Sequence, residues 1–332
     1  MMSKVGIGLI GAGYMGETHS EAFSKVQDVE LIAVTDVVKE KGKKLAEKYG
    51  MTFYPDYRDL LKRDDVNAVI ICTPHALHKE QGVLAAEEGK HLLIEKPLAT
   101  TVEECDEVIR ASRKNGVNLM VGHVLRFLEP CVKAKELIDE GEIGDIIMTQ
   151  DLNFGRGIWG DLPRPWLLEK KSSGGGIFMF IGVHQVDRLR WYLEDEAEEV
   201  YAKVGTYTFE IDVEDNGIIF LKFKKGVSSI IQSSISSKGV STNCLKMFGT
   251  EGIIEVTYDG VRLGKEEWTA IIQGDYWTDY RKPAFLAQAK EFIDSIKNDR
   301  EPKITGEDGR ASVEVITAAY ESSEEGRPIR IG

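Results

Sequence analysis

The sequence predicts two units of different class: an α/β unit wound around a parallel sheet, then an α+β unit with an open, mainly antiparallel sheet covered by helices on one face. Three observations carry this. Short Val/Ile/Leu runs alternate with helical spacing as far as Gly122. From Gly144 to Gln273 the patterning changes to period two, between Asn, Gly, Asp and Lys-Gly turns. The 332-residue chain is also longer than one hydrophobic core usually serves.

In the first part, Val5–Ile10, Val29–Thr35, Ala68–Cys72, His91–Ile94 and Asn118–Gly122 read as strands. Helical spacing lies between them, over Gly16–Lys25, Lys39–Tyr49, His78–Glu88 and Val102–Asn115. Continuous apolar strands between amphipathic helices are what a sheet buried on both faces produces. Right-handed crossovers then leave a doubly wound arrangement. In the second part, the predicted strands are Ile146–Phe154, Val200–Phe209, Gly217–Phe223, Val227–Ser236, Cys244–Phe248 and Ile253–Thr257. One long helix, Ile177–Leu193, interrupts them, and helices over Pro283–Lys297 and Glu307–Glu325 close the chain. The division is expected between residues 123 and 124, with 124–332 as the second domain and its final helix able to pack back on the first.

Hydrophobic residues make up 42% and charged residues 29%, ordinary values for a folded protein. The net charge of −13 argues against a nucleic-acid partner, which needs a basic footprint. No apolar run approaches the roughly 18 residues of a membrane span. Val5–Ile10 leads into a glycine loop rather than a cleavage site, so no secretion signal is expected. Cys72, Cys105, Cys131 and Cys244 are scattered without a CxxC pair, which reads as reduced thiols in the cytoplasm. None of the six histidines has a metal-ligand spacing, and no metal site is expected.

Gly11-Ala12-Gly13-Tyr14-Met15-Gly16 is a GxGxxG that follows a predicted strand and opens a predicted helix. Gly11 permits the tight turn, Gly13 the approach of a pyrophosphate, and Gly16 the close packing of helix on strand. The free N–H groups of that helix end, Tyr14 and Met15 among them, would face the phosphates. Asp36 ends the next strand, twenty residues beyond Gly16. A carboxylate there accepts the adenosine ribose hydroxyls and repels a 2′-phosphate. With Val37 and Val38 following it, NAD is favoured over NADP. The loop and the spacing together predict a Rossmann dinucleotide-binding domain.

Three further segments fall at predicted ends of parallel strands, where ligands sit in such sheets. They are Thr73-Pro74-His75 with His78, Glu95-Lys96-Pro97, and Gly122-His123 with Arg126. A fourth, Gly174-Gly175-Gly176 followed by Gly182-Val183-His184-Gln185-Val186-Asp187, opens the helix of the second part. Together with the closing Thr305–Gly309 and Gly326-Arg327-Pro328, these motifs resemble the glucose–fructose oxidoreductase/inositol dehydrogenase/rhizopine-catabolism family, written Gfo/Idh/MocA. The resemblance spans nearly the whole chain. It implies that Lys96 relays a proton beside the nicotinamide, that His184 helps take the substrate's hydroxyl proton, and that Asp187 contacts substrate hydroxyls. It also implies that Thr73, Pro74 and His78 line the nicotinamide side. By their places at strand ends, His75 and Glu95 are further cofactor-side candidates.

The chemistry is consistent on its own terms. Oxidising a secondary alcohol needs a hydride acceptor and a base, and burial beside a cationic ring lowers a lysine toward the working range. One position departs from the family. Where many members carry an aspartate four residues before the histidine, this chain has Phe180. Phe180 therefore reads either as an apolar wall of the substrate site or as a core residue. His123, Arg126 and Trp166 are further substrate-side candidates; Trp159 and Arg164 share the loop of Trp166. His19 and His91 read as structural. The expected activity is hydride transfer between NAD and a secondary alcohol of a sugar, cyclitol or related polyol. The alternatives are an NAD-using glycoside-cleaving relative and a catalytically weakened cofactor-binding protein. Apolar outward positions in Ile218–Leu221 and Ser229–Ile231 predict a homodimer or homotetramer.

Overall fold

The computed structural model describes residues 4–155, 165–236 and 240–332. The chain forms two compact units, Met1–Val124 with Lys282–Arg310, and Leu125–Arg281 with Ala311–Gly332.

The first unit is built on six parallel strands: β1 (Val5–Ile10), β2 (Val29–Thr35), β3 (Thr52–Tyr54), β4 (Ala68–Ile71), β5 (His91–Ile94) and β6 (Leu119–Val121). Their order is β3-β2-β1-β4-β5-β6. The chain runs outward from β1 in one direction and from β4 in the other, which puts a topological switch point between those two strands. All residues of β1 and β4 are buried, as the unbroken apolar runs require. The helices are α1 (Tyr14–Phe23), α2 (Lys39–Tyr49), α3 (Tyr57–Leu61), α4 (His78–Glu87) and α5 (Val102–Lys114). Left-handed Gly50, at φ 70°, ends α2. The Asp56 side chain caps α3 by accepting the Arg58 N–H. Neither β3 nor α3 was expected; three and five residues are too few for a periodic signal.

A later segment completes this unit. Along α8 (Arg281–Lys297), Phe285 meets His19 edge-on at 5.4 Å and Phe292 meets Phe23 at 6.3 Å. The Val121 N–H donates to the Ile304 carbonyl, and a Cβ on Gly306 would lie 2.6 Å from Leu119. Residues 304–306 therefore run along the β6 edge, and the glycine there is needed for the close approach.

The second unit carries a nine-stranded sheet of order β14-β13-β12-β11-β7-β10-β9-β8-β15. The strands are β7 (Ile146–Phe154), β8 (Ala197–Gly205), β9 (Asn216–Phe223), β10 (Ser228–Ser234), β11 (Thr242–Gly249), β12 (Ile253–Thr257), β13 (Gly260–Gly264), β14 (Trp268–Gln273) and β15 (Ile329–Arg330). Every pairing is antiparallel except β7 with β10. Along β9, Ile219, Leu221 and Phe223 are buried while Ile218 and Phe220 are exposed, the alternation of a sheet with one covered face. The longer helices of this unit are α6 (Glu129–Asp139), α7 (Val183–Leu193) and the Ala311–Glu325 part of α9 (Gly306–Glu325).

Several sequence expectations are corrected here. Strand β8 stops at Gly205 instead of reaching Phe209. The Asp215 carboxylate accepts the N–H groups of Tyr207, Thr208 and Phe209 at 2.9, 2.8 and 3.1 Å and folds that stretch into a turn. The predicted helix Ile177–Leu193 is two pieces. Phe178–Gly182 is a π-turn, in which the Val183 N–H reaches back to the Phe178 carbonyl, and α7 follows. Helix α6 and strands β13, β14 and β15 were not anticipated.

Helix α7 is pinned to the sheet by a buried polar network. Arg188 and Asp151 are both fully buried. Arg188 donates to the two carboxylate oxygens of Asp151 at 3.0 and 2.6 Å. Gln185 donates to the same carboxylate at 2.9 Å and accepts from the Ser233 hydroxyl at 2.7 Å. Burial disfavours the Arg188 cation, but the Asp151 charge outweighs it and holds the guanidinium above its usual range. Arg188→Leu strands a buried carboxylate and should cost about 3–5 kcal/mol of stability. Urea denaturation measures this; a loss under about 1 kcal/mol would contradict the network's role.

Candidate active site

In the first unit, the three loop glycines meet three separate steric requirements. Gly11 has φ +102°, and a Cβ there would lie 2.8 Å from the Cys72 carbonyl oxygen. A Cβ on Gly16 would lie 2.1 Å from the Gly11 carbonyl oxygen, so only glycine lets α1 approach β1 this closely. Gly13 caps α1 and has nothing within 4 Å of its Cβ position, leaving the helix end open to a phosphate. Tyr14 and Met15 form the first turn behind it.

Asp36 closes the loop. One oxygen accepts the Ala12 N–H and the other the Val38 N–H, each at 2.7 Å. A carboxylate has about four acceptor positions, so both oxygens can still accept a ribose hydroxyl. Open space at Gly13, the helix end and this carboxylate fit a dinucleotide.

The ends of β4 and β5 are fixed by two buried histidines. The His78 ring places Nδ1 2.8 Å from the Pro97 carbonyl and Nε2 2.9 Å from the Thr73 carbonyl, so it bridges the two strand ends. Thr73 also donates its hydroxyl to Gln81 at 2.6 Å. Pro74 precedes a 3₁₀ turn, His75–Leu77, in which His75 is buried with its ring 5.8 Å from that of His78. Glu95 is buried, with His19 Nε2 2.7 Å from its carboxylate. Burial pushes the Glu95 carboxyl up, but the His19 hydrogen bond and the electrostatic pull of His19, Lys96 and His78 outweigh it and hold it below the usual range. A Cβ on Gly122 would meet this carboxylate at 3.0 Å. Half-buried Lys96 thus sits between a residue held by His19 and a residue held by His78, and its peptide bond to Pro97 is cis. His123 follows β6 and is fully buried.

The second unit contains the other candidates. Phe180 lies in the π-turn at 7% exposure, and His184 and Asp187 lie on α7. Arg126 grips Asp187 with two hydrogen bonds, 3.0 and 2.7 Å, a pairing their separation in sequence concealed. Trp166 is half-buried in the turn Pro165–Leu168, while Trp159 and Arg164 lie outside the described residues. The glycine run is explained by Glu214, whose buried carboxylate accepts the Gly176 and Phe178 N–H groups at 2.7 and 2.9 Å and the Tyr320 hydroxyl at 2.8 Å. Burial raises the Glu214 carboxyl despite these donors. Cβ atoms on Gly175 and Gly176 would strike Tyr320 and the Glu214 backbone at 2.1 and 1.9 Å.

Sequence reasoning missed Glu214 altogether and read His19 as structural without its partner, Glu95. The available signal for His19 was its place one turn beyond Gly16, on the covered side of α1. Among the described residues no cluster of three or more His, Cys, Asp and Glu is placed to hold a metal, and no helix is long and apolar enough to cross a membrane.

The parallel sheet, glycine loop and Asp36 define a dinucleotide-binding oxidoreductase domain. Two family descriptions match: "Oxidoreductase family, NAD-binding Rossmann fold" over residues 5–123 and "GFO/IDH/MocA C-terminal domain" over residues 131–255. The chain belongs to the Gfo/Idh/MocA oxidoreductase family, and its Rossmann domain binds NAD. It is 29% identical to myo-inositol 2-dehydrogenase of Thermotoga maritima, over 98% of each chain. It is 26% identical to 2,7-anhydro-N-acetylneuraminate hydratase of Mediterraneibacter gnavus, over 99% of this chain and 97% of that one. Among solved structures, GenD2 from gentamicin A biosynthesis in complex with NAD is 25% identical, with a TM-score of 0.90 over 100% of this chain and 97% of GenD2.

The bridging histidine makes stability depend on pH. Burial pushes His78 below the ordinary histidine value of 6.5. Below that value the unfolded chain binds the additional proton, so the His78 contribution is intact above about pH 6.5 and is lost as pH falls toward the folded-state value. His78→Gln should flatten the decline below about pH 6.5, by up to about 1.4 kcal/mol per pH unit. Urea denaturation at each pH checks this; identical pH dependence in parent and variant would contradict it.

Proposed function

We propose that the protein oxidises, reversibly, a secondary alcohol of a sugar, cyclitol or related polyol, with NAD as hydride acceptor. The observation that carries this reading is Lys96, fixed at the end of β5 in the same unit as the glycine loop and Asp36. NAD supplies hydride acceptance; the chain must supply a base for the hydroxyl proton. Lys96 is assigned that proton, with His184 as the second acid–base group and Asp187 and Arg126 as a paired polar contact for the substrate. His123 and Trp166 are assigned to the substrate side, and Thr73, Pro74, His75, His78 and Glu95 to support of the nicotinamide. An aromatic ring at Phe180 offers a polyol no acceptor, which supports a substrate less hydroxylated than inositol at that contact.

The similarity to a hydratase supports one second reading, a reaction in which NAD is reduced and reoxidised within each turnover. The free thiols Cys72, Cys105, Cys131 and Cys244 support the cytoplasm as compartment.

A sugar and polyol panel, followed by NADH absorbance and by product analysis, separates the readings. Net NADH supports dehydrogenation, while product without NADH supports the redox-neutral reaction. Lys96→Ala should lower turnover about 10²–10⁴-fold while NAD affinity stays within a few-fold. Turnover within a few-fold of the parent would show that another group is the base.

We further propose that the outer face of the nine-stranded sheet is covered in a homodimer or homotetramer. Met148, Tyr201, Ile218 and Phe220 are 45%, 47%, 49% and 40% exposed. Tyr201, Phe220 and Ile230 lie side by side across three strands. Such a patch is the usual mark of an interface. Sedimentation of the parent should show an oligomer that Phe220→Glu weakens; a parent of only about 37 kDa at micromolar concentration would contradict this.

A further inference from the structure

The described residues carry one concentration of unpaired positive charge. Helix α2 bears Lys39, Lys41, Lys43, Lys44 and Lys48 against only Glu40 and Glu47. All five lysines are exposed, while Gly42, Leu45 and Ala46 face inward. Lys48 pairs with Glu17 at 2.8 Å. Lys39, Lys41, Lys43 and Lys44 have no ion pair or side-chain hydrogen bond among the described residues. Lysines elsewhere commonly pair, as Lys25 does with Glu21, Lys62 with Asp59, and Lys133 with Glu136. Five lysines against two glutamates leave this short helix a charge of 5 − 2 = +3 in a chain of net charge −13.

Their location is specific. Helix α2 begins three residues beyond Asp36, and the Val38 N–H that precedes it donates to the Asp36 carboxylate. A Cβ on Gly42 would lie 3.5 Å from that of Asp36, so the first turn of α2 rests against the ribose-binding carboxylate. Lys41, Lys44 and Lys48 follow at spacings of three and four and share one side of the helix. Lys48 reaches Glu17, the residue after Gly16 on α1, so this row faces the helix whose open end receives the pyrophosphate.

We propose that the lysine face of α2 is an electrostatic guide for the anionic dinucleotide: it draws the diphosphate toward the glycine loop through the repulsive field of an acidic protein. A local patch of sign opposite to the net charge raises the ligand's concentration at the entrance and its association rate, without requiring contact in the bound state. The guide acts before binding, so it alters arrival and leaves departure alone. It rests on the assignment of the glycine loop to NAD.

Stopped-flow NADH fluorescence on the full chain tests it without any substrate. Lys39, Lys41, Lys43 and Lys44 are changed together to Gln, and Lys4, Arg110, Lys114 and Lys290, four exposed cations of the same unit, are changed to Gln as a control of equal charge change. At about 0.02 M ionic strength the α2 variant should associate about 3- to 10-fold more slowly than the parent, with dissociation within two-fold. The difference should vanish near 0.5 M salt, and the control should match the parent. Unchanged association at low salt would overturn the guide. So would a faster dissociation that accounts for the whole effect, because the lysines would then be contacts of bound cofactor. Equal slowing in the control would overturn it too, by tracing the effect to net charge alone. A parent that gives no NADH signal would instead overturn the assignment of the loop to NAD.

Discussion

The geometry of the first unit depends on how closely the backbone of α1 approaches the ends of β1 and β4. Any side chain at Gly16 would collide with the Gly11 carbonyl, and any at Gly11 would collide with Cys72. Because both are glycine, the free N–H groups of α1 point out of the sheet's switch point rather than into protein. Asp36 joins this arrangement by taking the Ala12 N–H, so the loop and this carboxylate are one hydrogen-bonded piece. On the neighbouring strand ends, His19 and His78 hold Glu95 and Pro97, and Lys96 between them inherits a fixed backbone.

The second unit positions its side chains by similar means, with carboxylates in place of backbone approach. Glu214 gathers the N–H groups at the start of the π-turn, and Asp151 grips Arg188 and Gln185 further along. The stretch from Gly176 to Arg188 is therefore held before α7 begins and again within it, while Arg126 takes Asp187. Each is a buried carboxylate with specific donors, the condition under which a buried charge fixes geometry instead of merely costing desolvation.

The legible parts of the sequence were those governed by local rules. Strands β1, β2, β5 and β7 fall where apolar runs or period-two patterning put them, and the glycine loop meets each steric demand assigned to it. Features that depend on distant partners were not legible. Asp215 truncates β8 by taking the N–H groups of Tyr207, Thr208 and Phe209, and nothing within Val200–Phe209 announces it. The π-turn before α7 answers to Glu214, more than thirty residues away. At the site, Arg126 and Asp187 were each singled out, but their pairing joins residues sixty-one apart. The short elements β3, α3 and β15 gave too few residues for any pattern.

Cofactor choice tests the central claim most directly, because the proposed ribose contact rests on one carboxylate, Asp36, which the loop already holds. Fluorescence titration with NAD and NADP, on the parent and on Asp36→Ala, measures it. The parent should bind NAD at least about ten-fold more tightly, a difference of about 1.4 kcal/mol, since a 2′-phosphate would meet the Asp36 carboxylate. Asp36→Ala should narrow that gap by weakening NAD and relieving the repulsion of NADP. A parent that binds NADP as tightly as NAD would contradict the account.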